Sequence, residues 1–537
     1  MRLINTSTLE LKQFVGAQVP AYAILSHTWE EHELTFQDLA NPQLASQKRG
    51  FAKVKETCRL ARQTGIDYAW VDTCCIDKTS SAELSEAINS MFRWYASAAV
   101  CYAYLADLKA EDPVDTADPT SQFARCRWFT RGWTLQELIA PITVEFYDQE
   151  WTLRGTKATL SRAISTLTRI DKEVLCDSAV LFGLPIARRL SWAAHRQTTR
   201  VEDAAYSLLG ICDVNMPMLY GEGEAAFIRL QEEIVKETND MTLFAWETTA
   251  NNQSGPLQHH GLFANSPADF AYSHDIMQGL DLMFNEEFSM TNKGLRIRTK
   301  LGCGPFGDPI LSLNCYRQRD SMKKVGVLLA YVGGGTYIRS NPEHLLVGRE
   351  WKDQHDTGER TIYIRKCIGQ ALSTQVKQIN RPPTIRCRHG FGRLVDRIPG
   401  SIEGIPECRW DGQNCSFQTR GLSHFAGLLT LPKSPNCGFR YVVCGMSDNS
   451  PPWAAFLDET RQDEITPVTW DESLIYDLPK DMILSEKTVY DGPELRRLSI
   501  SISLDEGTDE TEPMYCIDIS EVTSTTDLFR EVGRWIE

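Results

Sequence analysis

The first 72 residues alternate between apolar runs typical of buried strands and one stretch with helical spacing. The run Tyr22-Ala-Ile-Leu-Ser-His-Thr-Trp29 becomes polar at its end, and a second run covers Ile66-Asp-Tyr-Ala-Trp-Val-Asp72. Between them apolar residues recur at helical spacing from Val54 to Ala61, and Gly65 is a suitable helix stop. Short connections between strand, helix and strand indicate a parallel βαβ unit. This unit places the N-terminal part in the α/β class.

The alternation of strands and helices continues to residue 155. A capping box at Ser80 opens an apolar helical stripe that ends at Tyr95. Ala99–Leu105 and Thr143–Tyr147 are predicted as the third and fourth strands. We therefore predict an α/β domain over residues 1–155 with about four parallel strands. Ligands of such open sheets bind beyond the carboxyl ends of the strands.

The remainder of the chain has a different pattern. Residues 156–250 are predicted to form a helical extension of the first domain, and residues 251–537 a β-rich domain of sandwich or barrel type. Gly294–Leu301 and Leu498–Leu504 alternate with the period of two that half-buried strands show. Further strand candidates are Val325–Tyr331, Thr361–Ile364, Phe439–Val443 and Met514–Ile519. In the helical extension, structural ion pairs are expected among Arg196, Arg200, Glu202 and Asp203.

Composition argues against several classes of protein. At 537 residues the chain exceeds the size of one hydrophobic core, so two or three domains are expected. A formal charge of −15 disfavours a nucleic-acid partner. The 16 cysteines include no C-x-x-C pair, so no metal site is predicted. Because no leader-like N-terminus and no run of about 18 apolar residues is present, we expect a cytoplasmic protein with reduced thiols and no membrane span.

The stretch Arg127-Trp-Phe-Thr-Arg-Gly-Trp-Thr-Leu-Gln-Glu-Leu-Ile-Ala-Pro141 has the most distinctive residue pattern. It is predicted to be one short helix that Pro141 ends, with Trp133 and Glu137 on the same face. An indole beside a carboxylate suits the binding of a ring or a sugar next to a charge. The alternative is that the aromatic residues pack in the core, while Glu137 pairs with Arg131 or faces solvent.

Four segments together resemble the fungal heterokaryon-incompatibility (HET) domain. They are Tyr22-Ala-Ile-Leu-Ser-His-Thr-Trp29, Trp70-Val-Asp-Thr-Cys-Cys-Ile-Asp77, the stretch from Arg127 to Pro141, and Arg196-Gln-Thr-Thr-Arg-Val-Glu-Asp-Ala-Ala-Tyr206. They follow one another in the order of that family, and the resemblance covers approximately residues 20–250. It implies a protein of non-self recognition or programmed cell death that forms a homo-oligomer or binds a partner incompatibility protein.

The order of strands and helices is also similar to that of TIR domains, which have the flavodoxin-like strand order. Trp133-Thr-Leu-Gln-Glu-Leu138 resembles their Trp-Cys-x-x-Glu-Leu pattern, although Thr134 stands where cysteine is usual. This resemblance implies cleavage of NAD at the nicotinamide–ribose bond with Glu137 as the catalytic carboxylate and without a cofactor. The substrate contacts expected are Ser26, His27, Trp29, Asp72, Arg131 and Trp133.

Several alternatives remain open at this point. Ser26, His27 and Asp72 are equally compatible with local hydrogen bonds at strand ends. NAD or NADP could be the substrate, and hydrolysis, cyclisation or base exchange the reaction. A cysteine hydrolase built from Cys74 or Cys75 lacks the helix N-terminus that activates a thiolate. The main rival is a non-enzymatic signalling scaffold that uses exposed aromatic residues between Trp128 and Trp133 as interface anchors.

Overall fold

The computed structural model describes most of residues 1–348 and separate segments beyond them. The described ranges are 1–39, 41–114, 118, 120–248, 259–279, 287–303, 309–348, 359–368, 384–387, 403–405, 410–411, 416–417, 424–430, 441–447, 450–457, 483–484, 486–491, 494–505 and 514–521.

A seven-stranded sheet forms the centre of the N-terminal part. Its strands are β1 (Arg2–Asn5), β2 (Leu11–Gln13), β3 (Tyr22–His27), β4 (Tyr68–Trp70), β5 (Val100–Tyr104), β6 (Val144–Tyr147) and β7 (Leu153–Thr156). They lie in the order β2-β1-β4-β3-β5-β6-β7. β4, β3, β5 and β6 are mutually parallel, which confirms the four predicted parallel strands. Their order along the sheet is second, first, third, fourth, as in flavodoxin-like folds.

Three antiparallel strands extend this sheet and were not predicted. β1 and β2 continue it beyond β4, and β7 pairs with β6 at the other edge. Each of them has only three or four residues, which is too short for an alternating apolar pattern to be recognised.

Helices flank the sheet and then form the predicted helical extension. The first group comprises α1 (Phe36–Leu39), α2 (Pro42–Ala45), α3 (Gly50–Gln63), α4 (Asp72–Cys75), α5 (Ser81–Ala96), α6 (Gln122–Arg125) and α7 (Thr134–Ile139). The extension comprises α8 (Ser161–Thr168), α9 (Lys172–Cys176), α10 (Ile186–Ser191), α11 (Asp203–Tyr206), α12 (Leu209–Cys212) and α13 (Ala225–Glu237). The predicted capping box is half formed, because Ser80 accepts from the Glu83 backbone N–H while the Glu83 side chain accepts from that of Asp77.

The prediction of one helix from Arg127 to Pro141 is wrong. A 3₁₀ turn covers Arg127–Thr130, the backbone is extended at Arg131 (ψ 141°), and α7 follows. The break occurs because Arg131 forms a parallel bridge with Gln197, whose carbonyl accepts from the Gly132 N–H at 2.9 Å. Gln197 is 66 residues further along the chain than Arg131, so local spacing cannot identify it as the bridge partner.

The C-terminal part is rich in β-structure, as predicted. A ten-stranded sheet contains β8 (His259–His260), β9 (Ile276–Gln278), β10 (Phe288–Thr291), β11 (Gly294–Thr299), β12 (Gly302–Cys303), β13 (Pro309–Arg317), β14 (Asp320–Gly333), β15 (Thr336–Ser340), β16 (Leu346–Val347) and β17 (Arg360–Ile364). A six-stranded sheet contains β18 (Thr384–Cys387), β20 (Trp410–Asp411), β21 (Ser416–Phe417), β26 (Glu486–Asp491), β27 (Glu494–Asp505) and β28 (Met514–Glu521). A five-stranded sheet contains β19 (Glu403–Ile405), β22 (His424–Thr430), β23 (Tyr441–Ser447), β24 (Ser450–Leu457) and β25 (Ile483–Leu484).

The strand candidates named from the sequence fall in β11, β14, β17, β23, β27 and β28. Residues 439–440 of the candidate Phe439–Val443 lie outside the described residues.

One hydrophobic core joins the N-terminal sheet, the helical extension and the ten-stranded sheet. Among the described residues, buried apolar side chains from Leu3 in the N-terminal sheet to Ile364 in the ten-stranded sheet belong to one packed cluster. α13 packs against β10, and α10 packs against a 3₁₀ turn at Pro267–Phe270. The limits predicted for the three domains therefore stay a prediction. Within the described residues, no helix is both long and apolar enough to cross a membrane.

Candidate functional site

A cavity of about 280 Å³ lies between the carboxyl ends of the parallel strands and the helical extension. Six of the seven predicted site residues line it, namely His27, Trp29, Asp72, Arg131, Trp133 and Glu137. The seventh, Ser26, has no exposed surface and lies behind Glu137, where its hydroxyl donates to the carboxyl group. The remaining polar and aromatic residues of the wall are Lys78, Tyr95, Thr134, Thr199, Arg200, Asp203 and Tyr220.

Glu137 is the most unusual titratable group of the cavity. It lies on α7 with only 9% of its surface exposed. Burial raises the pKa of this carboxyl to about 8, and the negative charge of Asp72 adds to the effect. Hydrogen bonds from Ser26 and Tyr95 and the charge of Arg131 act in the opposite direction. At neutral pH the carboxyl is consequently mostly protonated and can donate a hydrogen bond.

Ser26 is held in place by a buried indole. The Trp128 Nε1–H donates to the Ser26 oxygen at 2.7 Å, so the serine hydroxyl proton is directed towards Glu137. Because a hydrogen bond of this kind favours the charged form of a carboxyl, Ser26 moderates the effect of burial on Glu137.

Asp72 carries a stable negative charge beside the cavity. It accepts hydrogen bonds from His27 Nε2 at 3.1 Å and from Trp29 Nε1 at 2.9 Å. Lys53 Nζ donates to His27 Nδ1 at 3.3 Å, which requires the histidine proton to lie on Nε2. Burial alone would raise the pKa of Asp72, but the charge of Lys78 and the two hydrogen bonds outweigh it and lower the pKa to about 2. His27 and Asp72 thus form the local hydrogen bond at the strand ends and also line the cavity.

Trp29 lies at the mouth of the cavity with its ring orientation constrained. The Lys78 ammonium lies 3.6 Å from the centre of the ring, and the indole N–H is bound to Asp72. The side chain is still 46% exposed. An aromatic ring that is both oriented and accessible is suited to stacking on a flat ligand.

The opposite wall comes from the helical extension and from Trp133. The Tyr220 hydroxyl donates to Asp203 Oδ1 at 3.0 Å, and the Arg200 guanidinium lies 4.5 Å from the centre of the Tyr220 ring. Burial raises the pKa of Asp203. This wall was missed in the sequence because its charged residues were assigned to ion pairs.

The prediction of ion pairs among four residues of the extension is wrong; these residues are Arg196, Arg200, Glu202 and Asp203. Arg200 stacks on Tyr220, and Asp203 accepts from the same tyrosine. The Glu202 carboxylate accepts from two backbone N–H groups of a glycine turn, while the Arg196 guanidinium donates to the Arg131 carbonyl. The resemblance of Arg196–Tyr206 to the HET pattern was the available sign of a functional role. Lys78 and Tyr95 were missed because the spacing around them is that of ordinary loop and core positions.

The structure weakens two alternative interpretations. Cys74 and Cys75 are free and buried and are not part of the cavity wall. A hydrogen bond with Cys75 and burial raise the pKa of Cys74 well above the ordinary value, which disfavours a thiolate nucleophile. Trp128 and Phe129 were expected to be exposed anchors, but both are buried against the ring of Phe146.

No cluster of three or more His, Cys, Asp or Glu side chains with metal-site geometry is present among the described residues.

Comparisons with known proteins identify the N-terminal part. A model of the family "Heterokaryon incompatibility protein (HET)" matches residues 22–121, and one of a "Domain of unknown function (DUF8212)" matches residues 225–301. The chain is 47% identical over 231 residues to the vegetative incompatibility protein HET-E-1 of Podospora anserina. The alignment covers 42% of this chain and 17% of that relative. No solved structure matches the chain. Residues 22–121 of the chain therefore match the heterokaryon-incompatibility (HET) family, and the aligned region is similar to part of HET-E-1.

Proposed function

We propose that this protein acts in fungal non-self recognition and cell death by cleaving NAD at the nicotinamide–ribose bond. The relative's name, vegetative incompatibility protein, supports the biological half of the proposal. The reaction is supported by the strand order of the parallel sheet, which is compatible with a TIR-like core. Fold similarity alone does not establish activity, so the chemistry has to be argued from the cavity.

The observation that carries the proposal is the position of the Glu137 carboxyl in the cavity wall. The same wall holds Trp29 and Trp133, which are suited to stacking on nicotinamide or adenine. Arg131 also lines it and contributes a positive charge close to Glu137. A carboxyl, flat aromatic surfaces and a cation are the groups that a pyridinium nucleotide with phosphates requires.

Binding of the substrate would change the ionisation of Glu137. The nicotinamide ring of NAD carries a positive charge, and such a charge beside a carboxyl favours the carboxylate. The pKa of about 8 in the protein alone would therefore fall when the ring is bound. The proton released leaves a carboxylate next to the ring and its ribose.

The bond cleavage then follows from charge stabilisation. The bond between ribose C1′ and the nicotinamide nitrogen breaks, and its electron pair leaves with nicotinamide, which becomes neutral. The ribose acquires oxocarbenium character, which the Glu137 carboxylate stabilises. In hydrolysis, water adds to C1′ and loses one proton. Nicotinamide is a good leaving group as a pyridinium, so the proposal requires no metal and no dedicated general acid.

The other predicted site residues have supporting roles in this proposal. His27 and Asp72 form the rim and keep a negative charge near the positively charged ring. Ser26 is assigned to positioning Glu137 because it is buried behind the carboxyl instead of lining the cavity.

Release of nicotinamide by the purified protein tests the proposal. The protein is assayed at high concentration with NAD and with NADP, as wild type, Glu137→Gln and Glu150→Gln. Glu150 is an exposed glutamate outside the cavity wall and serves as the matched control. We expect turnover by wild type and Glu150→Gln, and a loss of at least about 100-fold in Glu137→Gln. Equal rates in all three proteins would remove Glu137 from the mechanism.

A silent but assembled wild-type protein would favour the scaffold function. Size measurements on the same samples would show whether the chain forms homo-oligomers or needs a partner incompatibility protein. Because Trp128 and Phe129 are buried, the half-buried Trp133 is the part of the assumed anchor set that stays partly accessible to a partner.

A further inference from the structure

We propose that Arg196 is a positioning residue for Glu137, acting from the helical extension through a clamp on the start of α7. The clamp consists of residues 196–198, which contact residues 130–134. The part of the inference that concerns turnover rests on the proposed function of Glu137, whereas the clamp itself is a statement about geometry.

The clamp is a short β-like contact between two segments that are distant in sequence. The Gln197 N–H donates to the Thr130 carbonyl at 2.6 Å, and the Gly132 N–H donates to the Gln197 carbonyl at 2.9 Å. A Cβ atom added at Gly132 would lie 2.5 Å from Thr198 Cγ2. A side chain at position 132 would therefore have to displace the Thr198 methyl group, whereas the Gln197 carbonyl oxygen, at 3.7 Å, would be in ordinary contact with it.

Arg196 extends the clamp to the first residue of α7. Its Nη1 group donates to the Arg131 carbonyl at 2.8 Å and to Thr134 Oγ1 at 2.9 Å. Its Nε donates to the Trp192 carbonyl at 3.3 Å, which anchors the side chain to its own segment. The planar guanidinium fixes these acceptors in one arrangement, which a flexible ammonium cannot reproduce.

The charge of Arg196 has a specific counterpart. Its Nη2 is buried without a hydrogen-bond partner in the described part of the chain. Burial lowers the pKa of the Arg196 guanidinium to about 9, and the charge of Glu137, when its carboxyl is ionised, acts in the opposite direction. A buried cation whose charge interacts with a carboxyl that must ionise on ligand binding reduces the cost of forming the carboxylate.

The far end of α7 is fixed as well. Lys157 Nζ donates to the carbonyls of Leu138 at 3.2 Å, Ile139 at 3.4 Å and Pro141. The carbonyls of Leu138 and Ile139 are terminal ones that the helix itself leaves unpaired, and Pro141 lies just beyond the helix. α7 has only six residues, so constraints at both ends determine where the Glu137 side chain points.

Glu137 is also influenced by other groups. Ser26 on β3, Asp72 on α4, Tyr95 on α5, Cys101 on β5 and Arg131 at the start of α7 all act on it. Arg196 differs from these in belonging to the extension, whose neighbouring residues Thr199, Arg200 and Asp203 line the cavity. Ligand contacts on that wall are thereby linked through the clamp to the position of Glu137.

The test compares Arg196→Gln and Arg196→Lys with Arg189→Gln. Arg189 is a matched control, because it is a buried arginine of the extension that donates to a backbone carbonyl, that of Ile211 at 3.1 Å, away from α7. The titration midpoint of Glu137 is obtained from the difference in unfolding stability between each protein and the same protein carrying Glu137→Gln, between about pH 5 and pH 9. Values of kcat and KM for NAD are measured alongside.

We expect Arg196→Gln to raise the titration midpoint of Glu137 and to lower kcat by about 10- to 100-fold, with KM within about twofold of wild type. Arg196→Lys should keep the wild-type midpoint, because the charge remains, but should lower kcat, because the bridge between the two acceptors is lost. Arg189→Gln should reduce stability and leave both the midpoint and kcat unchanged.

Two outcomes would overturn the inference. One is an unchanged midpoint and unchanged kcat in Arg196→Gln or, if the glutamine variant does not fold, an unchanged kcat in Arg196→Lys, whose midpoint is expected to stay. The other is an equal effect of Arg189→Gln. If wild type releases no nicotinamide, the titration midpoints of Glu137 alone decide the role of Arg196. Failure of the clamp and failure of the proposed reaction can therefore be distinguished.

Discussion

At the scale of single residues, the protonation of Glu137 should be visible in stability. The folded pKa of about 8 lies above the ordinary value of 4.5, so the folded protein retains a proton that the unfolded chain releases between these values. Stability should therefore fall as pH rises from about 4.5 to about 8. Glu137→Gln lacks this loss and should gain on the order of a few kcal/mol relative to wild type on going from pH 5 to pH 8.

Urea unfolding at the two pH values measures this difference, with Glu150→Gln as the control that should follow wild type. Parallel pH dependence of wild type and Glu137→Gln would show that the carboxyl titrates normally in the folded state.

Two neighbours should move the ionisation of Glu137 in opposite directions. Ser26→Ala removes a hydrogen bond that favours the carboxylate, so the pKa of Glu137 should rise. Asp72→Asn removes a negative charge, so the pKa should fall. In the pH profile of kcat/KM for NAD cleavage, the rising limb should shift to higher pH in the first variant and to lower pH in the second. Shifts of the same sign in both would contradict this assignment.

At the scale of elements, the start of α7 depends on a close backbone contact. Gly132→Ala places a Cβ atom 2.5 Å from Thr198 Cγ2, which should cost about 1–3 kcal/mol of stability. Thr198→Ser removes the methyl group concerned, so the double variant should recover most of the loss. Thermal unfolding of the two single variants and the double variant measures this coupling, and additive losses would rule out the contact as its cause.

The elements themselves were only partly predictable. β3, β5 and β6 and the helices α3 and α5 are long enough, or apolar enough, for their periodicity to identify them. The break in the helix at Arg131 could not be predicted, because the extended segment pairs with Gln197, which is distant in the sequence. Interactions between distant segments override local spacing and have no local pattern of their own.

At the scale of the whole molecule, the ten-stranded sheet should be needed for the helical extension to fold. Arg339 on β15 is fully buried, donates to the carbonyls of Phe244 and Trp246, and lies 3.9 Å from the centre of the Trp246 ring. The apolar core continues across the same boundary. A chain ending at residue 250 would expose apolar surface that is buried in the full protein.

We therefore expect residues 1–250 to aggregate or to lack a cooperative unfolding transition, and residues 1–368 to unfold cooperatively. Circular dichroism melts and size-exclusion chromatography of the two fragments measure this difference. A cooperative melt of 1–250 at the temperature of the longer fragment would instead support the predicted limit between residues 250 and 251.

The residues alone were sufficient for the α/β class, the four parallel strands and six of the residues that line the cavity. Parallel strands bring their carboxyl ends to one edge, so residues at strand ends can be placed together without a structure. The burial of Ser26, Trp128 and Phe129 and the second wall of Arg200, Asp203 and Tyr220 required the folded chain. Burial and contact between distant segments depend on how elements pack in three dimensions, and the ionisation of Glu137 depends on that packing in turn.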